Sequence, residues 1–404
     1  MQSTGHSNTG ILAKAAALLV VLGTSATALA QTPSVEIYGF GQADAIIDFN
    51  QNNPSWYDTS RPSRLPSFED EFGKDGHFYL SARQSRFGVK ASAPPASGPA
   101  FAQFEFDLFG VGVDAGQTTI RLRHAYGQWR TIGAGQTNSV FMDGDVFPNT
   151  LEYWGPNGML YFRNVQVYWR PIDDGKTRAT IAVENPGASG DGGVYADRIQ
   201  LQNVTARFPM PDFTGEYRVG RNWGYVEGAG LIGQVKIDDN LDDGLDLNET
   251  ATRWGISLSS NVKPTPNDTL RLQYVFGEGI ANYFNDAPID VAAKTTSDPS
   301  KPLEADALGI QGITAYLDHN WNSKYSTAIG YSRVDVDNSN AQSPSAYKAG
   351  QYVSANLLHT PAPNVMMGGE LLWADRKNNS DGFSSSDLRL QFSFKYSFSQ
   401  KFGG

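Results

Sequence analysis

The chain has 404 residues, of which 40% are hydrophobic and 12% aromatic, with 42 glycines, no cysteine and a formal net charge of −10. No stretch beyond the N-terminus holds enough consecutive apolar residues for a membrane-spanning helix. The missing cysteine excludes a disulfide framework, a cysteine-ligated zinc site and a thiol nucleophile. The acidic balance argues against nucleic acid as a partner. The five histidines leave little room for a metal centre, so no cofactor and no metal are expected.

Residues Met1–Ala30 read as an export leader. Lys14 precedes the apolar run Ala15–Gly23, and Ala28-Leu29-Ala30 is a small-residue cleavage site before Gln31. The remainder, 31–404, is expected to form one domain.

Apolar and polar residues then alternate with period two, the signature of strands. Ala102, Phe104, Phe106 and Leu108 oppose Gln103, Glu105 and Asp107. Val165, Val167 and Trp169 oppose Asn164, Gln166 and Arg170, and Leu270, Leu272, Tyr274 and Phe276 oppose Arg271 and Gln273. The pattern is cleanest from Asp387 to Phe398, where Leu388, Leu390, Phe392, Phe394, Tyr396 and Phe398 alternate with polar residues. Spans are expected near 35–48, 78–92, 101–109, 119–131, 132–140, 161–171, 176–184 and 211–220. Eight more follow near 223–236, 251–262, 268–277, 308–320, 325–335, 347–359, 365–375 and 387–398. A count of fourteen or eighteen stays open.

The connections separate a membrane barrel from a soluble sandwich. One set is short: Pro94-Pro95, Asp173-Asp174-Gly175, Arg221-Asn222, Lys263–Asn267, Asn322-Ser323-Lys324 and Pro361–Asn364. The other set is long and polar, near 50–77, 185–210, 238–249, 278–307, 337–347 and 377–386. Short turns at one end and long loops at the other are the mark of an outer-membrane barrel. The expected fold is therefore all-β: a transmembrane antiparallel β-barrel of about sixteen strands, wide enough for a water-filled bore.

Parity supplies a map of that bore. Arg86, Lys90, Arg170, Arg178, Arg218, Arg253, Arg271, Arg333, Arg389 and Lys395 share the polar parity of their strands. A basic side chain facing lipid at mid-membrane costs roughly 2–4 kcal/mol, so these ten are expected to line the pore. Asp44, Glu105, Asp107, Glu216 and Glu370 are the expected inward carboxylates, which leaves the wall tilted basic. A basic wall suits small anions, with arginine placed to clamp a carboxylate; pairing of these arginines with wall carboxylates for structure alone is the competing reading. On the outer face, Gly39, Gly41, Ala43 and Ala45 of the first strand and Ala125 and Gly127 of the fourth are unusually small. They are expected to form a contact between subunits and to shelter Arg121 and Arg123, unless a bulge reverses parity there.

Several segments carry a family likeness. The opening VEIYGFGQADAIIDF and the following SRFGVKAS resemble the first two strands of general Gram-negative porins. RLRHAYGQW, GAGQTNSVFMDGDVFPNTLEYWGPNG, PDFTGEY, NWGYVEGAG and PNDTLRLQYVFGEGI are similar to the DcaP-like branch of trimeric porins. The likeness implies a trimeric sixteen-stranded outer-membrane channel for small solutes, often carboxylates. It also implies that residues near 141–160 fold inward as a constriction loop, whose Asp143, Asp145 and Glu152 are expected to face the arginine row across a narrow passage. Two features depart from the pattern. The first strand begins about five residues after the cleavage site, so the periplasmic coiled coil of some DcaP-like members is not expected. The chain also runs past Phe398 through Ser399 to Gly404.

The expected function is a diffusion porin for small hydrophilic solutes with a mild anion preference, embedded in outer-membrane lipid and lipopolysaccharide. A structural or adhesin-type barrel with a blocked lumen is the alternative. A barrel hydrolase is the weaker one, since no serine is placed beside His124 by parity. The acidic run Asp239–Glu249 has the glycine of a calcium loop at Gly244, but Leu241 occupies a ligand position, which favours a solvated loop.

Overall fold

The computed structural model describes residues 32–404 apart from residue 96. The expected leader lies outside the described residues.

The alternating segments form strands, and their order in the chain is their order around the wall. The first six are β1 (Ser34–Asp48), β2 (His77–Ser81), β3 (Arg86–Ala93), β4 (Ala100–Phe109), β5 (Thr118–Trp129) and β6 (Ile132–Asn138). Next come β7 (Arg163–Asp173), β8 (Thr177–Glu184), β9 (Gly190–Asp191), β10 (Val204–Arg207) and β11 (Asp212–Arg221). They are followed by β12 (Gly224–Asp239), β13 (Glu249–Val262), β14 (Asp268–Glu278), β15 (Val291–Thr295) and β16 (Leu303–Ala307). The chain ends with β17 (Gly309–Asn320), β18 (Tyr325–Asp337), β19 (Tyr347–Ala362), β20 (Val365–Asn378) and β21 (Ser384–Gly403). Neighbours in the wall pair antiparallel, and β21 closes on β1 from Ser34↔Gly403 to Asp48↔Arg389. The result is a closed barrel of 16 strands, with β2 and β3 sharing one place in the wall. Strands β9, β15 and β16 form a small separate sheet in the long loops, and β10 extends the edge of β12.

The outward face is apolar, as a lipid-facing band requires. Phe104, Val165, Val167, Ile181, Leu258, Ile313, Leu371, Phe392 and Phe394 are large, hydrophobic and exposed. The buried parity is polar along most of the wall, with Asp44, Asp48, Glu105, Asp107, Glu216 and Gln391 pointing inward.

Three features depart from the sequence reading. The second strand is broken: residues 82–85 leave the wall between β2 and β3 and carry Arg83 and Gln84 into the interior, where both are buried. The last strand does not stop near Phe398 but continues to Gly403, with Phe402 opposite Val35. The bore is also not watery throughout. Val275, Ile310, Val334 and Val336 point inward and pack with Phe141, Met142, Leu160, Ile280, Tyr283 and Phe284 into a dry core inside the barrel. The inward loop between β6 and β7 and the loop 279–308 supply this packing. Residues 279–308 tuck Ile280–Phe284 under the inward loop, and residues 49–76 dip in far enough to bury Trp56, Asp58, Arg61, Ser63 and Leu65.

This inner core corrects one predicted residue. On β18 the inward positions are Ser332, Val334 and Val336, because loops rather than water cover that wall. Arg333 therefore faces outward and pairs with Asp335 at 2.5 Å, near the long-loop end of the strand.

Candidate functional site: the passage beside the inward loop

The segment between β6 and β7, residues 139–162, crosses the interior and is fixed to the wall at successive points. Near its start, Asp143 accepts from Tyr225 and Ser259 at 2.6 Å each and from Arg218 at 2.6 Å. Asp145 accepts from Arg218 at 2.5 Å, and its carbonyl accepts from Asn261 and Arg271. Further on, Glu370 takes the backbone amides of Leu151 and Glu152 at 2.9 Å. Glu152 itself accepts from Trp154 and Gly155 within the loop, from the Ser60 amide at 3.3 Å, and from the Tyr352 hydroxyl at 3.0 Å. Burial pushes its carboxyl up to about 7. On the return path the Gly158 amide donates to Ser332 at 2.8 Å. The backbone lies so close to the wall that a Cβ on Gly158 would meet the Arg333 carbonyl at 2.3 Å, and one on Gly312 would meet the Gly158 carbonyl at 2.4 Å.

The loop occupies the β11–β20 side and leaves a passage along β1, β3, β5 and β6. A cavity of about 790 Å3 runs there, bounded by the inward loop, Trp56 and Arg61 of the first long loop and residues 281–287. Six cations line it (Arg61, Arg86, Arg121, Arg123, Arg163 and Lys395) against one carboxylate, Glu152. Through Asn138, Met142 and Gly144 it borders a cavity of about 240 Å3. That one shares Asp145, Arg178 and Arg218 with a third, of about 620 Å3, at the short-turn end. Lys176, Arg178, Arg218, Arg221, Lys263 and Arg271 line this last space against Asp145 and Asp173. Polar cavities thus succeed one another from the long-loop side to the short-turn mouth, and cations outnumber carboxylates at both ends.

The densest charge lies on β4 and β5. Arg123 donates to Glu105 at 2.6 Å, to Asp107 at 2.9 Å and to the Tyr161 hydroxyl at 3.1 Å. Arg121 meets Asp107 at 2.8 Å, and both Arg121 and Asp107 contact the Tyr153 hydroxyl. Arg86 lies 3.6 Å from Glu105. Arg163 has no carboxylate partner among the described residues and donates to Tyr161 at 3.1 Å. Burial would push the Tyr161 phenol up, but the Arg123 and Arg163 charges bring it down to about 7. Three guanidinium groups share two carboxylates here and Arg163 adds a fourth positive charge beside them, which leaves a positive surplus along the passage.

The predicted residues divide into several groups. Arg86, Lys90, Arg170, Arg178, Arg218, Arg271 and Lys395 project inward and are partly exposed. Arg253 and Arg389 point inward too, but neither touches water. Arg253 is sealed beneath the loop 279–308, against the Gly279 carbonyl and Asp212. Arg389 is held by Asp48 at 2.6 Å and by the Tyr57 and Thr59 carbonyls of the first long loop. The carboxylates of the inward loop do not oppose the arginines across water as expected. Asp143 and Glu152 are buried in contact with the wall, and only Asp145 stays exposed, while already paired to Arg218. Arg121 and Arg123 are not outward. A bulge between Glu105 and Phe106 makes Arg123 the extra residue, so Arg121, Arg123 and His124 all face the lumen while Ala125 and Gly127 stay outside. Gly41, Ala43 and Ala45 face outward, whereas Gly39 is buried under the Phe398 ring. Residues the parity map missed are Arg61, Arg83 and Arg163. All three lie off the regular strands or at a strand's first residue, where alternation carries no information.

The acidic segment after β12 turns on itself: Asp239 accepts from the amides of Leu241 and Leu247, and Asp246 from that of Asn248. Among the described residues no group of acidic and histidine side chains is arranged to hold a metal ion.

A closed sixteen-stranded barrel with an apolar belt and an inward loop defines an outer-membrane channel of the porin type. The model of the DcaP outer membrane protein family matches residues 13–398, and the chain belongs to that family. Among solved structures, the outer membrane channel DcaP of Acinetobacter baumannii is similar with a TM-score of 0.73 at 18% identity, covering 91% of this chain and 97% of that one. The anion-selective porin from Comamonas acidovorans has a TM-score of 0.54 at 11% identity, covering 91% of this chain and all (100%) of the other. OmpT of Vibrio cholerae in its trimer form reaches 0.54 at 12% identity, with coverage of 91% and 99%. No curated protein matches this chain.

Proposed function

We propose that the protein is a passive diffusion channel that prefers small anions, carboxylates among them, over cations, and that it turns over no substrate. The observation that carries this reading is the lining of the passage, where Arg61, Arg86, Arg121, Arg123, Arg163 and Lys395 outnumber Glu152, the one acidic side chain among the described lining residues. Such a surplus in a narrow aqueous space raises the local anion concentration and repels cations. The test is a planar-bilayer recording under a salt gradient. Stepwise conductance with a reversal potential on the anion side supports the reading; clear cation preference sinks it. Silence at every voltage would favour a structural barrel instead.

A homotrimer belongs to the same reading. Strand β5 pairs with β6 only from Ala125 to Trp129, so Thr118–His124 has no strand partner on that side among the described residues. The Gln136 side chain donates to the Leu122 carbonyl at 3.1 Å, and that is small cover for a sheet edge in a lipid-facing wall. A neighbouring copy seated on Gly41, Ala43, Ala45, Ala125 and Gly127 would shield it. Outer-membrane lipid and lipopolysaccharide are the surroundings proposed for the rest of the belt, and the leader Met1–Ala30 is proposed to be removed on export.

A further inference from the structure

We propose that Arg61 is a positioning residue that sets the width of the passage by pinning the first long loop and the loop 279–308 to Trp154 of the inward loop. The proposal rests on the channel reading above.

Arg61 stands where three loops meet. Its guanidinium carbon lies 4.2 Å from the centroid of the Trp56 ring, in its own loop, and 4.4 Å from that of the Trp154 ring. The two indoles meet edge to face at 4.9 Å. The third loop contributes Asp286, which accepts from Arg61 Nε at 2.9 Å. The same carboxylate takes the Ser63 amide at 2.7 Å and the Ser63 hydroxyl at 2.6 Å. Neighbouring Asn285 ties back to the inward loop. Its carbonyl accepts from Trp154 Nε1 at 2.6 Å, and its amide donates to the Trp154 and Pro156 carbonyls. Arg376 of β20 donates to the Ser63 carbonyl at 2.9 Å, fastening the arrangement to the wall.

Trp56, Arg61 and Trp154 all border the passage, so the edge of this cluster is one side of the opening. The guanidinium carbon sits close to both indole rings, whose planes lie 77° apart, while its donors reach Asp286. An ammonium is a compact point charge without the extended fork that meets two rings and a carboxylate together. The role of Arg61 therefore depends on its shape as well as on the charge it shares with the other cations of the lining. The fixed width follows from the loops holding one another, since none of the three is held in place by strand pairing at this point.

The experiment compares single-channel conductance and reversal potential for the wild type, Arg61→Lys, Arg61→Ala and the near-isosteric Asp286→Asn, each purified as the folded barrel. Arg61→Lys keeps the charge and loses the broad guanidinium contact with the two rings; Asp286→Asn keeps that contact and loses the ion pair. The expected result is a rise in conductance of about two-fold, with a broader spread of open levels, in all three variants. The reversal potential should stay at the wild-type value in Arg61→Lys. Wild-type conductance in Arg61→Lys, with a changed reversal potential in Arg61→Ala only, would make Arg61 a charge on the path and overturn the proposal. Wild-type conductance in all three would overturn it as well. A wild type that passed no current would remove the channel reading and the positioning role together.

Discussion

Arg218 of β11 donates to Asp143 of the inward loop at 2.6 Å, so this charge pair is closed against the wall and does not span the water. Tyr225 and Ser259 share the same carboxylate. Replacing Asp143 with Asn should weaken the loop's attachment by about 1–3 kcal/mol, the range for a buried polar group deprived of partners. It should also free positive charge at Arg218, moving the reversal potential further to the anion side. A bilayer recording of the variant checks this; a shift toward cations would contradict it.

Arg163 offers a cation without a carboxylate partner among the described residues, and Arg86 a weakly paired one at 3.6 Å from Glu105. Arg163→Gln and Arg86→Gln should each lower the anion-to-cation permeability ratio. Arg389→Gln should not do so directly, because that side chain is sealed from water. Reversal potentials for the three variants in one salt gradient decide the matter.

Arg389 is an anchor. Its loss in Arg389→Met would leave Asp48 and Asp387 buried without a compensating charge and deprive the Tyr57 and Thr59 carbonyls of their donor. Breaking a buried pair in this way costs about 3–5 kcal/mol. The first long loop should then become accessible to protease near Trp56–Arg61 in a barrel that is still folded. Resistance equal to the wild type would count against the anchoring role.

Glu152 gives a pH dependence of definite sign. Burial holds its folded pKa at about 7, above the ordinary carboxylate value. Between the two values the folded state binds the extra proton, so this group's contribution is fully present below the unfolded pKa. It is lost as pH rises through about 7. Glu152→Gln cannot titrate. The difference in heat stability between variant and wild type should therefore change across the mildly acidic range, with the wild type losing ground as pH rises. A difference that stays flat from pH about 4 to about 8 would refute this.

The proposed subunit contact is open to crosslinking. Cysteines placed at Ala43 or Ala125, in a chain that has none, should give linked species in the intact membrane. Their absence there would count against a contact on this face.

How far the sequence could be read depended on what faced each strand. From Asp387 to Phe398 one side meets lipid and the other meets polar side chains, so alternation marked both faces correctly. On β18 the same rule placed Arg333 inside, because loop residues Leu160 and Phe284 turn the inner surface there into a dry core and make Val334 and Val336 the inward side chains. At β5 one extra residue at Arg123 reversed the parity, and periodicity cannot locate a bulge without the partner strand. The carboxylates of the inward loop were visible as residues, but whether they face water or a wall arginine is set by contacts between segments distant in the chain, such as Asp143 with Arg218. Arg61 lay in a segment with no period at all, and its role emerged only once three loops were seen to converge on it.

The seam between the first and last strands constrains how the molecule is made. One edge of β1 is taken by β2 and β3, but along the other its fifteen residues, from Ser34 to Asp48, find their partners between Gly403 and Arg389. A newly delivered polypeptide therefore carries an unsatisfied leading edge until its final residues arrive, and this union of the two chain ends spans almost the whole contour. Contacts of such long range form late and slowly. Trimming even a few residues from the C-terminus should thus harm assembly more than the finished object, leaving a ribbon that curls but takes far longer to become a ring.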